Sequence, residues 1–461
     1  MKIEIERFGP IQKFEYDLNK DLIVTYGNNN IGKSYSMQIV YLLLKTFIGF
    51  SYGYPRMTKR LYLVPYVQND FSKKEVESLV RDFLASKETT KDVSVFLVQE
   101  VYKNLGSILL PELINSCNNT FGNLEKTLEQ VPIIRVKIKK IEFEIFLNSK
   151  EIKGTLDLKP IRLKKTESDF HKSRKYETHL DIYVASNIEN PVSLMCEQIQ
   201  MKLLECLQCF NMFFDAVYFL PASRSGIYSG MNAFGSIVAE LSKNRAYFTK
   251  KIEFPGISEP ISDYFISLSN IKPKINEELA EYYTQIEDNI LKGKVSIDKT
   301  KNALMYKPQN MDVDFEMTEV SSMVSEISPI VAFLKYILHT QLKTRQKGKS
   351  VLFIEEPEAH LHPNNQIMLI EIFAKLIDAD VKLIMSSHSN YIFNKLNNLV
   401  LGGNLDYKKY QPIILIDEGK GSISKSLPIN DLGAEDENFI DVSEKLYCER
   451  EEIIQHLNME E

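Results

Sequence analysis

Three short stretches hold the residues able to do chemistry. The first reads Gly27-Asn28-Asn29-Asn30-Ile31-Gly32-Lys33-Ser34 and follows directly on the apolar run Leu22–Tyr26. Gly27 and Gly32 permit backbone conformations that a Cβ would oppose, so successive N–H groups can turn inward toward an anion. Lys33 offers a cation to the β- and γ-phosphates of a nucleoside triphosphate, and the Ser34 hydroxyl offers a ligand to Mg²⁺. A helix beginning at Gly32 would aim its positive end at the same anion. A glycine-rich turn can match this pattern by accident. Here the strand before it and the apolar Met37, Ile39, Val40, Leu42 and Leu43 after it supply the context that a phosphate-binding loop requires. The cofactors expected are ATP and Mg²⁺.

The second stretch is Val351-Leu-Phe-Ile-Glu355-Glu356-Pro-Glu-Ala-His-Leu-His-Pro363. Four apolar residues running into two carboxylates describe a buried strand that breaks out beside phosphates. Glu355 is expected to hold Mg²⁺ through a water, and Glu356 to orient and polarise the attacking water. Taken alone, such a run is as readily a strand ending in an acidic loop. The third stretch, Val381-Lys-Leu-Ile-Met-Ser-Ser-His388, repeats the form and ends on an imidazole placed to meet a γ-phosphate. Between the two, residues 364–379 have helical apolar spacing. Strand, helix and strand then bring both strand ends to one edge of a parallel sheet, next to the phosphate loop.

The rest of the chain must position these groups. Residues 1–33 read as strand, turn at Gly9-Pro10, strand, and the strand entering the loop; residues 33–50 continue as a helix. Helical spacing dominates 70–130, strand alternation 131–185, and helix returns over 190–214. Ala216–Leu220 reads as a strand ending in a loop, residues 231–292 as mostly helical, and a second part of the core begins near 350. The fold class expected is α/β, a nucleotide-binding mixed sheet flanked by helices, with inserted α+β and helical subdomains. The units expected are residues 1–50 with the phosphate loop, 51–215 as an inserted helical and antiparallel-strand region, 216–330 as a helical part, and 331–461 as the second half of the core.

Composition narrows the class. With 44% apolar residues, 25 Phe and 23 Tyr, the chain can bury sizeable cores. Its five cysteines are too few and too scattered for a disulfide framework, and Cys206-Leu-Gln-Cys209 has helical surroundings and no second pair, which favours buried thiols over a metal site. A reducing cytoplasm is expected, and no stretch is apolar enough to span a membrane. The net charge of −6 argues against a surface coated for DNA. Residues 135–175 nonetheless hold thirteen Lys/Arg against six Asp/Glu, which reads as a solvated strand face or as a local surface for DNA or protein.

These motifs together resemble the ABC-type ATPase heads of the RecF/SMC/OLD group. Gly27–Ser34, Ile354–Pro363 and Ser386–His388 look closest to the OLD-like ATPases, among them the ATPase subunits of the Septu and PARIS anti-phage systems. The opening Met1–Ile11, the segment Tyr218–Gly226 and the tail Asp431–Ser443 are similar to that branch, whereas residues 51–210 carry no matching motif. The resemblance implies two heads sandwiching two ATPs, with a Ser-Gly signature loop of one subunit capping the γ-phosphate held by the other. The matching stretch is Glu319–Glu326, ahead of a helix expected near Ile327. Ser321 and Ser322 fit it; Met323 stands where Gly is usual and is expected to crowd the phosphate. Glu355 replaces the usual Asp and is long enough to hold Mg²⁺ through water. OLD proteins carry a nuclease domain of ordinary domain size, which the residues after Ser389 are too few to form. The resemblance therefore implies a homo-oligomer, dimeric or larger, working with a separate effector such as a nuclease in anti-phage defence. The alternative is a RecF-like repair or chromosome-maintenance ATPase that clamps DNA itself; a transport ATPase fits the motifs less well.

Overall fold

The computed structural model describes residues 1–52, 72–122, 132–139, 141–167, 172–210, 213–230, 256–271, 274–298, 303–338, 348–434 and 447–454. Residues 231–255 of the mostly helical stretch expected over 231–292, and most of the tail similarity beyond Ala434, fall outside them.

Among the described residues, eleven strands form one mixed sheet. In chain order they are β1 Lys2–Phe8, β2 Ile11–Asp17, β3 Leu22–Tyr26, β4 Ile133–Ile138, β5 Ile141–Phe146, β6 Glu151–Leu156, β7 Phe214–Leu220, β8 Lys349–Glu355, β9 Val381–Ser387, β10 Tyr410–Asp417 and β11 Ser422–Ser426. Their spatial order is β7-β8-β9-β3-β10-β11-β2-β1-β4-β5-β6. The first five of these run parallel, and β1, β2, β4, β5 and β6 pair antiparallel.

The two halves differ for a physical reason. Every residue of β3 and β9 is buried, as befits parallel strands covered on both faces. Successive side chains of β3 serve opposite cores: Leu22, Val24 and Tyr26 join one cluster and Ile23 the other. In β1, alternation takes over, with Ile3 and Ile5 buried between exposed or half-buried neighbours. The strand patterning at 131–156 is part of this same sheet, since β4 pairs directly with β1, Ile3 opposite Val136 and Ile5 opposite Ile134.

The helices that matter for the site are α1 Lys33–Tyr52, α2 Ser322–Ala332, α3 Pro363–Leu376 and α4 Asn390–Leu401. α1 lies on one face of the sheet with the helices Ser94–Phe121 and Glu189–Gln208; α2, α3 and α4 cover the other. On α1, Met37, Ile39, Val40, Leu42, Leu43, Leu44 and Phe47 are all buried. At about 1.5–3 kcal/mol for each large side chain, this burial anchors the helix and so fixes Lys33 at the sheet edge. α2 starts at Ser322, five residues before the start expected from the sequence, because the Ser321 backbone is extended and Ser325 N–H already bonds Ser321 O at 3.0 Å.

Two sequence readings meet their environment away from the site. Cys206 and Cys209 are both buried, and Cys209 Sγ donates to Cys206 O at 2.8 Å. Burial pushes the Cys206 thiol up to about 12, so it is inert. Among the described residues no group of three or more His, Cys, Asp or Glu is arranged to hold a metal ion. Part of the basic excess over 135–175 is taken up in ion pairs: Arg135 with Glu6 at 2.7 Å and Glu144 at 2.5 Å, Lys153 with Glu151 at 2.9 Å and Lys164 with Asp181 at 2.6 Å. The strand Ser173–Lys175 is exposed throughout. No helix among the described residues is long and apolar enough to cross a membrane.

Candidate nucleotide site

Parallel register puts the three chemistry-bearing stretches on one edge. Leu220 pairs with Ile354, Glu355 with Ser386, Ser386 with Thr25 and Ser387 with Tyr26. All four strands leave the sheet by their C-terminal ends at this level, where open α/β sheets bind ligands. Gly27, Pro221, Glu356 and His388 are consequently the first residues out of four adjacent strands.

The phosphate loop takes the conformation its residues permit. Gly27 has φ +140° and Gly32 φ +94°, and Asn30 is left-handed at φ 62°. A Cβ on Gly27 would stand 2.4 Å from Ile31 Cδ1 and 2.9 Å from Leu415 O, so side-chain space and backbone angle both demand glycine. Asn28, Asn29 and Asn30 are exposed, Gly27, Ile31 and Gly32 are half-buried, and α1 begins at Lys33. Lys33 is buried beneath the loop, its Nζ donating to Gly27 O at 2.9 Å and Asn28 O at 2.7 Å and lying 3.4 Å from His388 Nδ1.

The carboxylates divide by environment. Glu355 is 5% exposed; its Oε2 accepts from Ala222 N–H at 3.0 Å and its Oε1 lies 3.4 Å from Gln38 Nε2. Burial pushes its pKa up, and the Ala222 N–H and the Ser34 hydroxyl oppose that shift. Ser34 and Glu355 are therefore two hard oxygen donors in one place. Mg²⁺ takes one or two protein oxygens and completes its shell with phosphate and water, so this pair fits it. Glu356 sits one residue further out, its side chain 40% exposed, with Oε1 3.5 Å from His388 Nε2. The His388 imidazole holds the Glu356 carboxyl below the usual carboxylate range, ionised as a water-orienting base must be. Its backbone is left-handed at φ 44°, a strained state for a non-glycine residue, and Glu356 N–H donates to Ser386 O at 3.1 Å.

Three residues not singled out as site groups by the sequence complete this edge. Glu358 is half-exposed as a residue, but its carboxylate reaches inward: Oε1 accepts from Ser387 Oγ at 2.9 Å and His388 N–H at 2.7 Å, fixing the loop that carries the imidazole. Burial of this carboxyl pushes its pKa up. Arg224, four residues past the end of β7, is fully buried and pairs with Glu326 on α2. Its only sequence signal is a place in the segment Tyr218–Gly226.

Ser321 and Ser322 stand exposed at the start of α2. Their described bonds run through backbone oxygens to Ser325, and they lie outside the cluster of Lys33, Glu355, Glu356 and His388 contacts. Met323 is half-buried on the second core, its Sδ 3.6 Å from Asn365 Nδ2. The crowding side chain thus packs inward, and the exposed serines are left at the helix end.

Burial lowers the Lys33 ammonium to about 8, against the pull of Glu356 and Glu358. The sign is direct: an unfolded lysine holds its proton to a higher pH, so between about 8 and 10.5 the unfolded chain binds more protons and stability rises with pH. A bound phosphate supplies the missing counter-charge and restores the proton. ATP binding is therefore expected to take up close to one proton at about pH 9 and little at about pH 7, with affinity falling as pH rises above about 8. Calorimetry in buffers of differing ionisation enthalpy measures this, and equal uptake at both pH values would contradict the desolvated lysine.

The family model of the AAA ATPase domain matches residues 1–393. Among solved structures, the chain is similar to the SmcHead bound to the C-winged helix domain of ScpA, at 11% identity over 93% of this chain and 97% of that chain, with a TM-score of 0.37. It is also similar to the SMC head domain from Thermotoga maritima, at 8% identity over 93% and 98% with a TM-score of 0.35. A third is the Smc head domain with an extended coiled coil bound to the C-terminal domain of ScpA derived from Pyrococcus furiosus, at 12% identity over 92% and 95% with a TM-score of 0.32. No curated protein matches.

Proposed function

We propose, from the premise that this chain belongs to the AAA ATPase domain family, that it is an Mg²⁺-dependent ATPase whose subunits sandwich ATP between them and control a separate effector protein. The observation that carries the ATPase reading is the meeting of Lys33, Glu356 and His388 at one sheet edge, with Glu355 and Ser34 beside them. Lys33 binds the β/γ-phosphates in place of its present carbonyl partners, and the backbone N–H groups of Gly27–Ser34 cradle them. Ser34 and Glu355 hold Mg²⁺, which when bound neutralises charge at the phosphates. Glu356 accepts a proton from the attacking water, and His388 keeps that carboxylate ionised and faces the γ-phosphate.

The sandwich part is supported by the exposed Ser321 and Ser322, polar residues at a helix N-terminus with no role in their own subunit's phosphate loop. A mixture of Lys33→Ala and Ser322→Arg subunits keeps one composite site of intact residues per dimer. It is expected to recover part of the activity that each variant lacks alone, and light scattering of wild-type protein is expected to show oligomers that grow with ATP. An oligomeric state indifferent to nucleotide, together with no recovery in the mixture, would refute the sandwich.

Effector control, with anti-phage defence as its setting and a nuclease as the effector class, rests on the sequence resemblance at Gly27–Ser34, Ile354–Pro363 and Ser386–His388. ATP-dependent co-purification of a small nuclease supports it. ATP-dependent retention of DNA by the chain alone supports the clamp instead, for which the exposed basic strand Ser173–Lys175 is the natural contact.

A further inference from the structure

Arg224 is fully buried, and nothing in the proposed chemistry uses it. Its guanidinium spans two elements. At one end Nε donates to Glu326 O at 3.0 Å and lies 3.4 Å from Glu326 Oε2. At the other, Nη1 donates to Glu355 O at 2.7 Å and Nη2 to Glu356 O at 3.3 Å. Glu326 is held in turn: Oε2 accepts from Arg224 N–H at 3.0 Å, and Oε1 from Ser225 N–H at 3.1 Å and Ser225 Oγ at 2.6 Å. Glu326 sits in the second turn of α2, the helix that begins at the exposed Ser322.

Stability is a weak reason for such a pair. Two ions this deeply buried are often no better than two apolar residues of the same volume, because desolvation offsets their attraction. What an apolar pair cannot do is bridge. A planar guanidinium holds fixed angles among its donors, so it can set the Glu326 carbonyl and the Glu355 and Glu356 carbonyls relative to one another. Glu356 needs such a constraint, since its left-handed backbone is strained.

We propose that Arg224 and Glu326 are a positioning pair, joining the N-terminal end of α2 to the backbone of Glu356 so that contact at Ser321 and Ser322 sets the aim of the water-orienting carboxylate. This rests on the reading that those serines meet the nucleotide of a second subunit. Neither Arg224 nor Glu326 touches nucleotide, so the pair acts on turnover and leaves ATP affinity alone. Through it, the state of one composite site reaches the carboxylate of the other.

The test uses the full chain and five variants, three of them confined to the pair itself. Arg224→Lys keeps the charge facing Glu326 but loses the fork to two carbonyls. Glu326→Gln keeps the shape and loses the charge. The double variant Arg224→Met with Glu326→Leu removes both ions together and protects the fold, should a single change leave a buried charge unpaired. Thermal unfolding, ATP affinity by calorimetry and kcat are measured for each. The expected result is an ATP Kd within about threefold of wild type and a kcat lower by about tenfold or more in Arg224→Lys and in the folded double variant. Ser322→Arg is expected to lower kcat in the wild-type chain and to add less than about twofold in the Arg224→Lys background, the non-additivity of coupled residues. Wild-type kcat in Arg224→Lys and the folded double variant overturns the proposal, as does a loss that only follows ATP affinity or folded fraction. A wild-type chain that binds no ATP overturns the nucleotide reading and this one together. Wild-type kcat in Ser322→Arg alone overturns the link to the second subunit, while the kcat of Arg224→Lys still decides the positioning of Glu356.

Discussion

Glu356→Gln is expected to bind ATP as tightly as wild type and to hydrolyse it about a hundredfold to ten-thousandfold more slowly, the range over which a positioned general base acts. The geometry assigns the effect to this carboxylate and not to its neighbours. Glu356 is the member of the acidic group whose side chain is partly exposed while Glu358 turns its carboxylate inward; it lies 3.5 Å from the His388 imidazole and is held below the usual carboxylate range by it. Glu355 is buried against Ala222 N–H and Ser34, and Glu358 is occupied with Ser387 and His388, so neither is free to meet a water at the γ-phosphate. The amide of Gln preserves the shape and cannot take the proton. ATP then persists, and any assembly that ATP drives is trapped in its closed form, which light scattering reads as enriched oligomer. Wild-type turnover in this variant would remove Glu356 from the catalytic role and return the question to Glu355.

Lys33→Ala is expected to lose tight ATP binding altogether. Lys33 is the cation that the phosphate loop supplies, and each charge-assisted bond it makes to phosphate is worth roughly 1.5–3 kcal/mol. Two such bonds correspond to an affinity loss of about a hundredfold or more. The fold should survive the change. Lys33 is a desolvated ammonium whose pKa burial has lowered to about 8, so its removal relieves a buried charge. The carbonyls of Gly27 and Asn28 that it now bonds lie in a half-exposed loop that water reaches. Calorimetry gives the affinity and thermal unfolding the control. Unchanged affinity in a folded variant would sink the assignment of residues 27–34 as a phosphate loop.

Some of this was legible in the residues because the signals are local. A strand running into Gly27–Ser34, four apolar residues running into Glu355 and Glu356, and a second such run ending at His388 each declare themselves within a dozen positions. Burial on both faces makes parallel strands continuously apolar, and the phosphate loop needs glycine where φ is positive. The same holds at Gly419 and Gly421, whose φ are 80° and 118° between the antiparallel strands β10 and β11.

What the sequence by itself determined was the chemistry its local elements could carry: a mixed α/β sheet, a phosphate loop, one strand end bearing two carboxylates and another bearing an imidazole. The tertiary structure decided which of these meet. β3, from the first residues of the chain, is inserted between β9 and β10 from its last third, and only that pairing sets Lys33 within reach of His388. The strands of 133–156 extend the main sheet because β4 finds an edge on β1, a pairing that alternation alone does not specify. Arg224 and Glu326 are 102 residues apart, and nothing in the sequence around either one names the other as its partner. A local pattern reports the environment a residue can tolerate. A buried ion pair exists only when two distant segments close on each other and exclude water together, and no local pattern records that.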